Sequence, residues 1–75
     1  MDWAPSIEIF TAQKPARVEH PITRHQKGRV FFEGTYWPAQ IYTSRSLALT
    51  DHALEVSSWV VVIGRQGLTL LVRPA

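Results

Sequence analysis

Three histidines are the chain's only imidazoles, and none sits in a pattern that builds a reactive centre. His20 and His25 lie five positions apart on a proline-broken segment, and His52 follows Asp51. A metal ion needs converging ligands, and the absence of cysteine and of paired carboxylates leaves these imidazoles without co-ligands. Solvent-exposed or loop histidines are the expectation. Asp51 and His52 with Ser57 and Ser58 supply the residue types of a catalytic triad. A triad is defined by geometry, however, and nearness in sequence supplies none. A fold this small also leaves little room for a substrate-sized pocket. No catalytic residue, metal ligand or cofactor-binding residue is assigned, and a non-enzymatic protein is expected.

Binding surface is what the residues do offer. Arg24, His25, Lys27 and Arg29 form a basic cluster beside Phe31, Phe32, Tyr36 and Trp37. Cations that attract phosphate, next to rings that stack on bases, are what single-stranded nucleic acid requires. Against this, Phe32 and Trp37 match the parity of core positions, and Glu19 and Glu33 lie nearby. A net charge of +2, from eight Lys/Arg and six Asp/Glu, does not by itself imply nucleic acid. Arg29, Phe31, Tyr36 and Arg65 are therefore assigned to a polar-aromatic rim, with nucleic-acid binding as the alternative function.

These residues must be positioned by one small domain. A chain of 75 residues buries only about 60% of the surface its unfolded form exposes. With no cysteine there is no disulfide staple, so a compact β core or association must supply the stability. Pro5, Pro15 and Pro21 break up the N-terminal region, where residues 7–10 and 17–20 are only weak edge strands. Residues 1–15 are read as an arm or tail and residues 16–75 as the domain.

From Gly28 the strand signal strengthens. Gly28-Arg29-Val30-Phe31-Phe32-Glu33 and Tyr36-Trp37-Pro38-Ala39-Gln40-Ile41-Tyr42-Thr43 are strand candidates separated by Gly34. Val30 and Phe32 share one parity and Trp37, Ala39 and Ile41 the other, so a bulge or bend at Gly34 is expected. Leu47-Ala48-Leu49-Thr50 reads as a short third strand, and Asp51-His52-Ala53-Leu54-Glu55 as one helical turn capped by Thr50 or Asp51. Two apolar runs, 59–63 and 68–72, flank a Gly-bounded turn and make a terminal hairpin. Five short strands with one helical link predict an all-β, five-stranded OB-like barrel.

Gly28-x-Val30-x-x-x-Gly34-x-x-Trp37-x-Ala39, Val60-x-Val62 and Gly67-Leu68-x-Leu70-x-Val72-x-Pro74 together resemble the C-terminal domain of NfeD-like proteins over residues 27–74. The resemblance implies an OB-fold barrel that binds proteins, with stomatin-like (SPFH) membrane scaffolds as partners. In the family the domain is usually attached to membrane helices, sometimes with a serine-protease domain. Here it is expected to stand alone, and Ser58 occupies the place before the fourth strand where the family commonly has glycine.

Strand parity gives an inference of its own. If Val60, Val62, Leu68, Leu70 and Val72 point into the barrel, then Trp59, Val61, Ile63 and Leu71 point out. Covering three outward aliphatics contributes roughly 4–9 kcal/mol, so such a patch rarely stays bare. The arm, through Ile7, Ile9 and Phe10, a second copy, or a protein partner is expected to cover it. Trp59, Val61, Ile63 and Leu71 are therefore the interaction candidates. The N-terminus lacks the basic start and apolar core of a signal peptide, and no run reaches the roughly 20 apolar residues that span a bilayer. A cytoplasmic protein without direct membrane insertion is expected, recruited to membranes by its partner.

Overall fold

A computed structural model describes residues 6–42 and 53–75. Five strands, β1 (Ile7–His20), β2 (Gly28–Phe32), β3 (Thr35–Ile41), β4 (Trp59–Gln66) and β5 (Thr69–Pro74), form a closed barrel in the order β1-β2-β3-β5-β4. All neighbouring pairs are antiparallel except β3 with β5, which is parallel. The all-β, five-stranded barrel expected from the strand pattern is the fold. The expected third strand at 47–50 lies outside the described residues, as do Asp51 and His52 of the expected helical turn. Of that turn's remaining residues, Leu54 forms an extended bridge, exchanging backbone hydrogen bonds with Ile22 at 2.8 and 3.1 Å.

The stretch read as an arm enters the barrel wall. Residues 7–20 are one continuous strand whose first part pairs with β4 and whose last part pairs with β2. Pro15 is tolerated because it needs a ladder partner on one side only. It faces Val61 of β4, whereas β2 has already ended on its other flank, where Arg17 faces Phe31. Pro38 is similarly placed, opposite Arg29 and one residue before the β3/β5 ladder starts at Ala39.

Two bends close the cylinder. From the Ile9/Gly64 pair to the Lys14/Val62 pair, β1 advances five positions while β4 advances two. A second shift lies at Ile63, between the Val62/Val72 and Gly64/Leu71 pairs. Such bulges bend a strand and increase its twist, which a small barrel requires. At this seam β1 crosses Gly64 so closely that a Cβ there would collide with the Glu8 carbonyl oxygen.

The turn between β2 and β3 needs no bulge. Phe32 pairs with Thr35, leaving Glu33 (φ 49°) and Gly34 (φ 88°) as a two-residue turn of type I′. Residues paired across a two-residue turn always have opposite parity, which reconciles Val30 and Phe32 with Trp37 and Ala39. Glu33 accepts a 2.8 Å hydrogen bond from Lys14 Nζ. That bond, with the carboxylate's charge, raises the Lys14 pKa above the usual lysine value. At its alkaline limit the interaction is therefore lost as pH rises past that raised value, and it is fully present at neutral pH. Asparagine tolerates a left-handed backbone better than glutamate, whereas exposed ion pairs are weak. Glu33→Asn is thus expected to stabilise the hairpin by about 0.5 kcal/mol. A thermal melt checks it, and a lowered Tm would mean that the ion pair outweighs the turn.

Ala16, Val18, Ile22, Val30, Phe32, Ala39, Val60, Val62, Leu70 and Val72 fill the interior, with Phe10, Trp37, Ile41 and Leu54 packed against them. Leu68, expected inside, is exposed. The reason is turn geometry: β4 runs on to Gln66, which pairs with Thr69, so Gly67 (φ 62°) and Leu68 form the turn themselves.

Candidate functional site

The interior alternates with an outer face, and there the strand registers assemble a row that no single segment displays. Trp59 of β4 faces Arg17 of β1, Arg17 faces Phe31 of β2, and Phe31 faces Tyr36 of β3. Their neighbours Val18, Val30 and Val60 point inward and are fully buried, which turns these four outward. Adjacent strands lie about 4.8 Å apart, so the row spans roughly 14 Å across four strands. Trp59 is 59% exposed, Tyr36 57% and Phe31 36%.

The row has two ends of different chemistry. At the β4/β1 end, Val61 faces Pro15 beside the Trp59/Arg17 pair, giving an apolar block with one cation in it. Arg17 Nε lies 3.4 Å from Glu19 Oε2. At the β2/β3 end, Phe31 and Tyr36 meet edge to face with centroids 5.1 Å apart. The Arg29 guanidinium sits 5.5 Å from the Tyr36 centroid, within cation–π range. Arg29 Nη2 also lies 2.6 Å from His20 Nε2. Guanidinium can only donate, so His20 accepts there through an unprotonated Nε2. Next to this pair is a shallow cleft of about 400 Å³ lined by His20, Lys27, Gly28, Arg29 and Pro38.

The structure thus brings Trp59, Arg29, Phe31 and Tyr36 onto one face, with Val61 half-buried at its edge. It does not bring Arg65 there. Arg65 lies near the far end of β4, where its Nε donates to Glu8 Oε1 at 3.0 Å. Nor do Ile63 and Leu71 extend an exposed patch, being 7% and 1% exposed. Both are absent from the interior cluster, so simple parity fails on burial. Ile63 occupies the β4 bulge. Leu71 lies between side-chain-free Gly64 and Gln40, and the Gln40 amide donates at 3.5 Å to Gln66 on the far side of β5. Ile63→Lys and Leu71→Lys are therefore expected to unfold the chain, because each buries an unpaired ammonium. Val61→Lys should leave the melting curve nearly unchanged, and circular dichroism melts of the three variants test the contrast.

Arg17 and Pro15 escaped the sequence reading because their importance comes from what stands opposite them. A second missed feature lies at the β1 bulge. A cavity of about 480 Å³ opens there, with Ile9, Phe10, Phe32, Trp37 and Leu70 among its walls. The Glu8/Arg65 and Lys14/Glu33 ion pairs also border it. The Trp37 indole nitrogen is buried without a hydrogen-bond acceptor. Its ring was legible as core from parity, but the unpaired donor was not. Among the described residues, no three His, Asp or Glu side chains converge as a metal site would need.

No helix among the described residues is long and apolar enough to cross a membrane. Comparison with curated proteins gives no match. The family comparison does, and it reaches further towards the N-terminus than the resemblance over 27–74, taking in much of β1. The sequence model of the NfeD-like C-terminal, partner-binding domain matches residues 12–74, and the chain belongs to that family.

Proposed function

We propose that this chain is a non-enzymatic docking module that presents the apolar end of its outer row, Trp59, Val61 and Pro15 with Arg17, to a protein partner. The observation that carries the reading is the row itself, on a barrel closed on every side. Among the described residues every strand has a neighbour on both sides in the closed order, so side chains on the faces are the surface offered for binding. Trp and Arg are among the residue types that dominate interface energetics, and the docking end sets one of each side by side, Trp59 opposite Arg17. The membership in a partner-binding family supports the same conclusion.

The partner proposed is an SPFH- or stomatin-type membrane scaffold, which draws the domain from the cytoplasm to the membrane surface. Titration calorimetry with a purified stomatin-type protein tests this directly. Saturable binding that Trp59→Ala weakens is expected, and no binding would overturn the scaffold assignment. Sedimentation of the chain alone over a concentration series separates the homo-oligomer reading. A dimer abolished by Trp59→Ala would make a second copy the occupant of the patch.

A further inference from the structure

We propose that the opposite end of the outer row is a binding site for single-stranded nucleic acid. Bases stack on Phe31 and Tyr36, and the phosphate backbone runs through the cleft of His20, Lys27 and Arg29. This site uses different residues from the protein-docking end and does not depend on that reading.

Three observations lead here. The first is ring presentation. Phe31 and Tyr36 are both exposed and meet with their planes 66° apart. Neither ring therefore covers the other's face completely, and with Arg29 over one face of Tyr36 a base stacks on the opposite one. Base–aromatic stacking tolerates any sequence, because every base has a π-face.

The second is the segregation of charge. Glu8 is tied to Arg65 and Glu33 to Lys14 on the side of the β1 bulge, and Glu19 to Arg17 beside Trp59. The cleft next to Tyr36 is lined by His20, Lys27 and Arg29 and by no acidic residue. Arg24 and His25 stand at the tip of the β1/β2 loop, where Thr23 and Gln26 exchange backbone hydrogen bonds on either side of them.

The third is shape. The cleft is shallow, and the two rings are not part of its lining. A duplex hides its base faces and could use only the cations. A single strand can splay bases onto the rings while its phosphates reach Lys27 and Arg29. The outer side of the second and third strands is also where barrels of this topology commonly take oligonucleotides.

The test is fluorescence anisotropy of a labelled oligo(dT) of about ten nucleotides, a length within the usual range for one such barrel. Binding at low salt is expected, with a log–log salt slope of about −1.4 if two phosphates are neutralised. Lys27→Ala should shrink that slope by about 0.7. Phe31→Ala and Tyr36→Ala should each weaken binding by roughly five- to a hundredfold. Circular dichroism melts establish that these variants remain folded. Trp59→Ala should leave oligonucleotide binding unchanged while impairing capture of the protein partner, so the two readings fail independently. No binding at low salt overturns the proposal. So does binding that Tyr36→Ala leaves intact and polyphosphate matches charge for charge, which would be simple ion attraction. Equal affinity for a blunt duplex, or ring variants that impair only protein capture, would overturn it as well.

Discussion

Gly64→Ala is expected to open the barrel at its seam, with a loss of at least about 3 kcal/mol and a Tm fall of more than about 12 °C. The reason is main-chain crowding. A Cβ at position 64 would fall well inside 3.0 Å of the Glu8 carbonyl oxygen and at 3.1 Å from both the Glu8 carbonyl carbon and the Ile9 Cα. Backbone atoms cannot rotate out of the way as a side chain can, so β1 must lift off β4 where the Glu8/Arg65 and Ile9/Gly64 pairs hold the cylinder closed. Total stability for a chain of this length is about 4–11 kcal/mol, so the loss removes roughly a quarter to three quarters of it. Gly34→Ala is the informative comparison. Nothing lies within 4 Å of a Cβ there, but φ is +88°. That variant should lose only the roughly 1–2 kcal/mol of a left-handed alanine. Denaturant unfolding of both variants separates collision from strain. Similar midpoints would mean that the seam yields more easily than its geometry implies.

Trp59→Ala should weaken protein-partner binding by about thirtyfold or more, corresponding to the roughly 2 kcal/mol of an interface hot spot. Its effect on folding should stay within about 0.5 kcal/mol, because the ring is largely outside the core. Arg17→Ala should follow it with a smaller loss, since Arg17 stands directly opposite and is partly engaged by Glu19. Leu68→Ala is the control. It removes a comparably exposed apolar side chain, but from the β4/β5 turn rather than the row. Affinities for the wild type and these variants, measured with one partner preparation, settle the matter. A Trp59→Ala protein that binds as well as wild type would move the docking surface elsewhere.

The strand pattern from Gly28 onward was legible because alternation of side chains is a local property. Val30 and Phe32, Trp37 and Ala39, Val60 and Val62, and Leu70 and Val72 all point the way their spacing predicts. The reading weakened where backbone geometry interrupts alternation. Leu68 kept the right parity for the interior, yet a two-residue turn claimed it, and the bulge at Ile63 upset the simple division of β4 into inner and outer positions. β1 was the larger omission. Pro15 argues against a continuous strand, yet it pairs with Val61 of β4 at a position that β2 does not reach.

Fold class and most of the core are local in origin, because period-2 apolarity and glycine-bounded turns act over a few residues. Trp59, Arg29, Phe31 and Tyr36, singled out from parity and composition, are exposed on one face, whereas Ile63 and Leu71, chosen by the same parity, are buried. The row of Trp59, Arg17, Phe31 and Tyr36 is not local: it exists because four strands are aligned in register. Trp59 and Arg17 are 42 positions apart in the chain (59 − 17), and their apposition depends on inter-strand register. Register is fixed by bulges, turn lengths and barrel closure together, and none of these is the property of a single segment.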